Sequence, residues 1–208
     1  MVKNMKLLFL LAPFFLFGCT ALDKNAPVYS DSFDGEFKKE AWEIRQNTHW
    51  EVKDGHLIGT PAPVKYQEMM RAKNDTHTGQ WPIIRLLHIP AQFTCTMRLK
   101  YEGEKFEKNR PLLDVGHHIN SFLFREDSTR LLLKDKTPLI RQGSFLPLNK
   151  WVDVKITLIE GKLSVSIDGR TEIYENDNVS MHGHSEFTFK GLSNGRILFD
   201  HVTLSEIK

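Results

Sequence analysis

Apolar and polar residues alternate with a period of two over much of the chain beyond residue 28. Phe93, Cys95, Met97, Leu99 and Tyr101 fall on one side of a strand, and Thr94, Thr96, Arg98 and Lys100 on the other. The run at 151–158 repeats this with Val152, Val154, Ile156 and Leu158 inward, and Leu163, Val165 and Ile167 form the next inward set. Glu160-Gly161-Lys162 between them predicts a hairpin loop, and Asp168-Gly169 a second tight turn. Phe187 and Phe189 alternate with Thr188 and Lys190. In the last segment Phe199, Val202 and Leu204 all point inward, an odd spacing that predicts a β-bulge near Asp200 and His201. Residues 122–134 read as a hairpin turning at 126–129. No window of 11 residues carries a helical period. Many short strands separated by turn signals predict an all-β antiparallel sandwich or barrel.

The first residues follow a different rule. Lys3 and Lys6 precede an apolar run at 7–17 that only Pro13 interrupts. A membrane span needs about 20 such residues, whereas this run has the length of a signal-peptide core. It ends in Leu16-Phe17-Gly18-Cys19, which resembles the bacterial lipobox. The expected organisation is a lipoprotein signal peptide at 1–18, a lipidated tether at 19–27 beginning with Cys19, and one domain at 28–208. The expected location is the bacterial cell envelope, with the chain anchored to a membrane through lipid on Cys19, at the outer membrane or a periplasmic face rather than a cytoplasmic one. The chain has only two cysteines. With Cys19 committed to lipid, Cys95 has no intrachain partner, which rules out a disulfide and a cysteine-built zinc site. On the apolar side of its strand, Cys95 reads as a small hydrophobe. The formal charge is +2 with the two signs interspersed, and no basic block or helix marks a nucleic-acid partner.

Asp31-Ser32-Phe33, then Trp42-Glu43, then the segment 50–59 resemble the opening of bacterial concanavalin A-like jelly-roll domains, most of all the 3-keto-disaccharide hydrolase domain family. The strand at 93–101, the hairpin at 147–169 and the closing strand at 196–204 fall in the order that family shows. Leu113-Asp114-Val115-Gly116-His117-His118-Ile119 is similar to a Gly-His-His strand in a subset of these domains. The resemblance implies a concanavalin A-like jelly roll of two antiparallel sheets. For activity it implies hydrolysis or β-elimination of 3-keto-glycosides, with a glycan or glycan fragment as partner. It also leaves room for a divalent metal ion, held by histidine and carboxylate, that would polarise the ketone.

Nine histidines stand out, because histidine titrates near neutrality and ligates metals. If 113–119 is one strand, His117 faces the core and His118 shares the opposite face with Asp114 and Asn120. Residues 77–88 gather Trp81, Arg85 and His88, the aromatic, forked-cation and imidazole groups that sugar sites use. Arg125, Arg130 and Lys134 flank the 122–134 hairpin and could line a groove. Trp42, Trp50 and Trp151 read as core. The Glu-x-Asp-x-x-Glu signature of jelly-roll glucanases does not occur in the sequence, which argues against a conventional retaining glucanase. Three classes follow. In an enzyme, His88 or His118 would act as base. In a binding module, Trp81, Arg85, Asn120 and Arg125 would contact the sugar. The third class is a structural or interaction lipoprotein with no ligand pocket. The first two share an expectation that His88, His118 and Arg85 converge.

Overall fold

A computed structural model describes residues 28–107, 111–116, 118–125, 127–143, 146–180 and 185–208. Cys19 with the signal peptide and tether, and also His117, lie outside the described residues. The strands, in chain order, are β1 Tyr29–Asp31, β2 Trp42–Ile44, β3 His49–Lys53, β4 His56–Thr60, β5 Ile83–Leu87, β6 Phe93–Glu102, β7 Leu113–Val115 and β8 Asn120–Phe124. They continue with β9 Ser128–Leu132, β10 Pro138–Gln142, β11 Val152–Ile159, β12 Lys162–Ile167, β13 Arg170–Glu175, β14 Glu186–Lys190 and β15 Arg196–Glu206.

These strands form two antiparallel sheets. The eight-stranded sheet runs β13-β12-β11-β6-β15-β4-β3, with β1 also paired to β15; the seven-stranded sheet runs β10-β9-β8-β7-β14-β5-β2. Alternation sends one face of each sheet inward. Phe93 meets Phe187 edge to face at 4.9 Å, and Phe189 meets Phe199 in the same way at 5.1 Å. Rings from the two sheets thus close the core between them. Ile156, Leu158, Val165 and Leu204 are sealed completely. At about 25 cal/mol per Å² of apolar surface removed from water, this burial is the main force holding the sheets together. Trp50 lies flat on Gly59, its register partner; a Cβ there would come within 2.4 Å of the ring.

The two predicted turns of the β11–β13 meander occur where glycine allows positive φ, at Gly161 and Gly169. The register of β15 against β6 shifts between Phe199 and His201, the bulge that the 199/202/204 spacing implies. Three expectations need correction. A short helix, α1 Val64–Ala72, does form; none of its residues is buried, so it carries no apolar period to detect. Second, Trp151 is not a core residue. Val152 pairs with Leu99 on the inner face, which turns Trp151 outward, where it stacks on His56 at 4.9 Å. Third, 113–119 is not one strand. β7 ends at Val115; Gly116 and His118 take positive φ, and the chain returns as β8 from Asn120.

Candidate functional site: a polar cavity on the outer face of the seven-stranded sheet

The third correction changes which residues can meet a ligand. A continuous strand would put Asn120 on the face of Asp114 and His118. The hairpin instead pairs Asn120 with Val115 and turns it into the sandwich. There it is fully buried, and its amide donates to Val115 O at 3.1 Å and Ser180 O at 2.9 Å. Asn120 therefore holds the hairpin together rather than meeting solvent.

The outer face of the same sheet carries an unbroken polar row. Glu43 on β2 opposes Arg85 on β5, Arg85 opposes Thr188 on β14, Thr188 opposes Asp114 on β7, and Asp114 opposes Ser121 on β8. The register pairs each with the next, and partners in register share a face, so all five lie on one surface. A cavity of about 490 Å³ opens over the middle of this row, a size typical of small-molecule sites. Its floor is Ile83, Arg85, Thr188, Lys190 and Asp114, and its rim includes Arg45, Gln46, His77 and His118.

Asp114 anchors the floor. It is 1% exposed, and its carboxylate accepts from Lys190 Nζ at 2.6 Å and from Ser121 Oγ at 2.5 Å. An isolated charge in such a position would cost several kcal/mol, and the opposed ammonium offsets it. His118 Nδ1 lies 3.7 Å from the same carboxylate, while its ring stays largely open to solvent. Arg85 sits between two acids, Glu43 at 3.2 Å and Glu186 at 3.3 Å. Thr188, 3% exposed, lies in register between Arg85 and Asp114. Its hydroxyl has no hydrogen-bond partner among the described residues.

The rim is built by two loops. Thr48 fixes the turn after β2: its hydroxyl lies 2.8 Å from Arg45 O and accepts from the Trp50 indole at 3.1 Å. The segment carrying His77 packs against that turn at Gly79, whose positive φ and lack of a side chain allow the approach; a Cβ would meet Gln46 O at 2.3 Å. Asp75 accepts from the backbone N–H of His77 at 2.7 Å and lies 2.9 Å from its ring. These two interactions, the backbone one first, hold the Asp75 carboxyl below its ordinary pKa.

Of the sequence candidates, Arg85 and His118 line the cavity. His88 follows the end of β5 with positive φ, exposed, and is not among the residues lining the cavity. Trp81 lies off the cavity, its indole donating to Glu107 at 2.5 Å. Arg125 follows β8 at the turn into β9, where its backbone N–H donates to Ser128 O, and it too is off the cavity. The residues that sequence reasoning passed over are Thr188 and Lys190, which read as the ordinary outward positions of the 187–189 alternation. Among the described residues no three histidine, cysteine, aspartate or glutamate side chains gather to hold a metal ion.

No protein-family model matches the chain, and no curated protein matches it. Solved structures do. Cellulose induced protein, Cip1, superposes with a TM-score of 0.60 at 11% identity, over 85% of this chain and 96% of that one. SCLam, a non-specific endo-β-1,3(4)-glucanase from family GH16, gives 0.58 at 10% identity, over 89% and 92%. The carbohydrate binding module CBM66 from Bacillus subtilis gives 0.51 at 12% identity, over 80% and 96%. At these identities the likeness is one of fold: the chain is an all-β, concanavalin A-like jelly-roll sandwich.

Proposed function

We propose that this protein is a carbohydrate-active lipoprotein of the bacterial cell envelope that takes a glycan or glycan fragment into the cavity over the Glu43–Ser121 row. The observation that carries the reading is the row itself: five polar side chains on five adjacent strands, of which the middle three, Arg85, Thr188 and Asp114, line a cavity. Hydroxyl-rich ligands are held by fixed donors and acceptors of this kind. The same sandwich serves a carbohydrate binding module and a glucanase, which fits the reading without deciding between binding and cleavage. Titration calorimetry with a panel of oligosaccharides tests it. Saturable binding that weakens in Arg85→Ala supports it, and no binding across the panel contradicts it.

The enzyme version gains support from one contact, His118 beside the buried Asp114. A carboxylate fixed by Lys190 and Ser121 can orient an imidazole and stabilise its protonated form. His118 would then remove the proton from the carbon next to the ketone of a 3-keto-glycoside, or activate water. Incubation of a 3-keto-disaccharide with wild type and His118→Ala tests this: turnover lost in the variant supports it, and equal rates exclude His118 as the base. The lipid anchor at Cys19 is tested by membrane fractionation. Cys19→Ser should release the protein and abolish acyl labelling, and a variant as firmly bound as wild type would contradict the anchor.

A further inference from the structure

We propose that the cavity selects an uncharged glycosyl unit over uronate or sulfated sugars, and that the Thr188 hydroxyl is a specificity-determining hydrogen-bond group for it. The inference rests on the glycan reading above and narrows it.

The charges that line the cavity are balanced. Three fixed cations line the cavity, Arg45, Arg85 and Lys190. Each already faces a carboxylate: Arg45 meets Glu43 at 2.6 Å, Arg85 meets Glu43 and Glu186, and Lys190 meets Asp114. Set against Glu43, Glu186 and Asp114, their charges cancel. Among the described residues, a ligand carboxylate or sulfate entering here finds no cation without an acid beside it, and it must approach the sealed charge of Asp114. Like charges brought together on a poorly solvated floor repel strongly. A hydroxyl has no such difficulty, since it can accept from the Lys190 ammonium, which has three N–H donors, and donate to a carboxylate.

Thr188 is nearly sealed, lines the cavity, and has no hydrogen-bond partner among the described residues. Buried hydroxyls are normally satisfied, and one left over at the floor of a cavity calls for a partner from outside. Its place in register between Arg85 and Asp114 sets it amid the charged groups that would hold the neighbouring hydroxyls of the same ring.

The test is calorimetric titration of the purified protein with matched probes: neutral cello-, xylo- and galacto-oligosaccharides on one side, oligogalacturonate and sulfated galactan oligomers on the other. The expected result is binding of at least one neutral probe with the anionic probes weaker. Thr188→Val, which keeps the shape and removes the hydroxyl, should weaken the neutral probe about three- to tenfold, and Thr188→Ser should restore most of it. Glu43→Gln, a change on the exposed side of the row, removes one of the balancing charges and should move the preference toward oligogalacturonate. Tighter binding of the anionic probes by wild type overturns the charge argument and leaves the glycan reading standing. Unchanged affinity in Thr188→Val overturns the role of the hydroxyl. No binding of any probe overturns the glycan reading itself, and this inference with it.

Discussion

Lys190 and Asp114 are 76 positions apart in the chain, yet the ammonium of one donates to the carboxylate of the other at 2.6 Å in a nearly sealed contact. The strands that carry them, β14 and β7, are neighbours in the sheet, and Ser121 on β8 holds the second carboxylate oxygen. The pair thus joins three strands beneath the cavity and fixes its floor.

Breaking this pair from one side leaves a buried charge without its partner. Lys190→Met should destabilise the fold by about 3–5 kcal/mol, measured as a lower urea midpoint. The double variant Asp114→Asn with Lys190→Met removes both charges and should recover a large part of that loss. A double variant no more stable than the single one would show that the two residues are not coupled.

The strand register makes a second prediction. Ile156 is fully buried opposite Cys95, and its neighbour Lys155 points to solvent. Ile156→Ala should cost about 2–5 kcal/mol, while Lys155→Ala stays within about 0.5 kcal/mol. Equal costs in chemical denaturation would contradict the register.

How far the sequence discloses this molecule depends on how local each signal is. The alternation in β6, the glycine turns of the β11–β13 meander and the bulge at Asp200 are all written in a few consecutive residues, and each can be read directly. The β7–β8 hairpin is not, because β7 contributes only Leu113, Asp114 and Val115 before the turn, too short a run to show where a strand stops. Reading through that turn reverses the apparent side of Asn120. β5 escapes for another reason: Ile83-Ile84-Arg85-Leu86-Leu87 does not alternate, since Ile83 is buried in the cavity wall while Ile84 and Leu86 are buried in the core. Thr188 and Lys190 gain their meaning only from register with β5 and β7. That is a relationship between distant segments that no single stretch of sequence records.

Cys95 supplies a pH dependence. Complete burial pushes its thiol up from 9.0 to about 12. The folded state therefore keeps the proton while the unfolded state releases it. The stability linked to this group is fully present below about pH 9 and is lost as pH rises toward about 12. Wild type should lose more stability between pH 8.5 and 10.5 than Cys95→Ala does, by denaturant titration at each pH. Identical slopes would mean that Cys95 is not sealed. The folded protein should also resist alkylation at neutral pH until denaturant is added.

The central claim is that glycans bind over the Glu43–Arg85–Thr188–Asp114–Ser121 row. It is tested most directly by mapping amide chemical-shift changes by NMR while a neutral oligosaccharide is titrated into isotopically labelled protein. The account predicts saturable shifts confined to β2, β5, β7, β8 and β14 and to the rim around Arg45, His77 and His118, with Thr96 and Lys155 on the outer face of the other sheet unmoved. Shifts centred on that other face, around Trp151 and His56, or none anywhere, would contradict it.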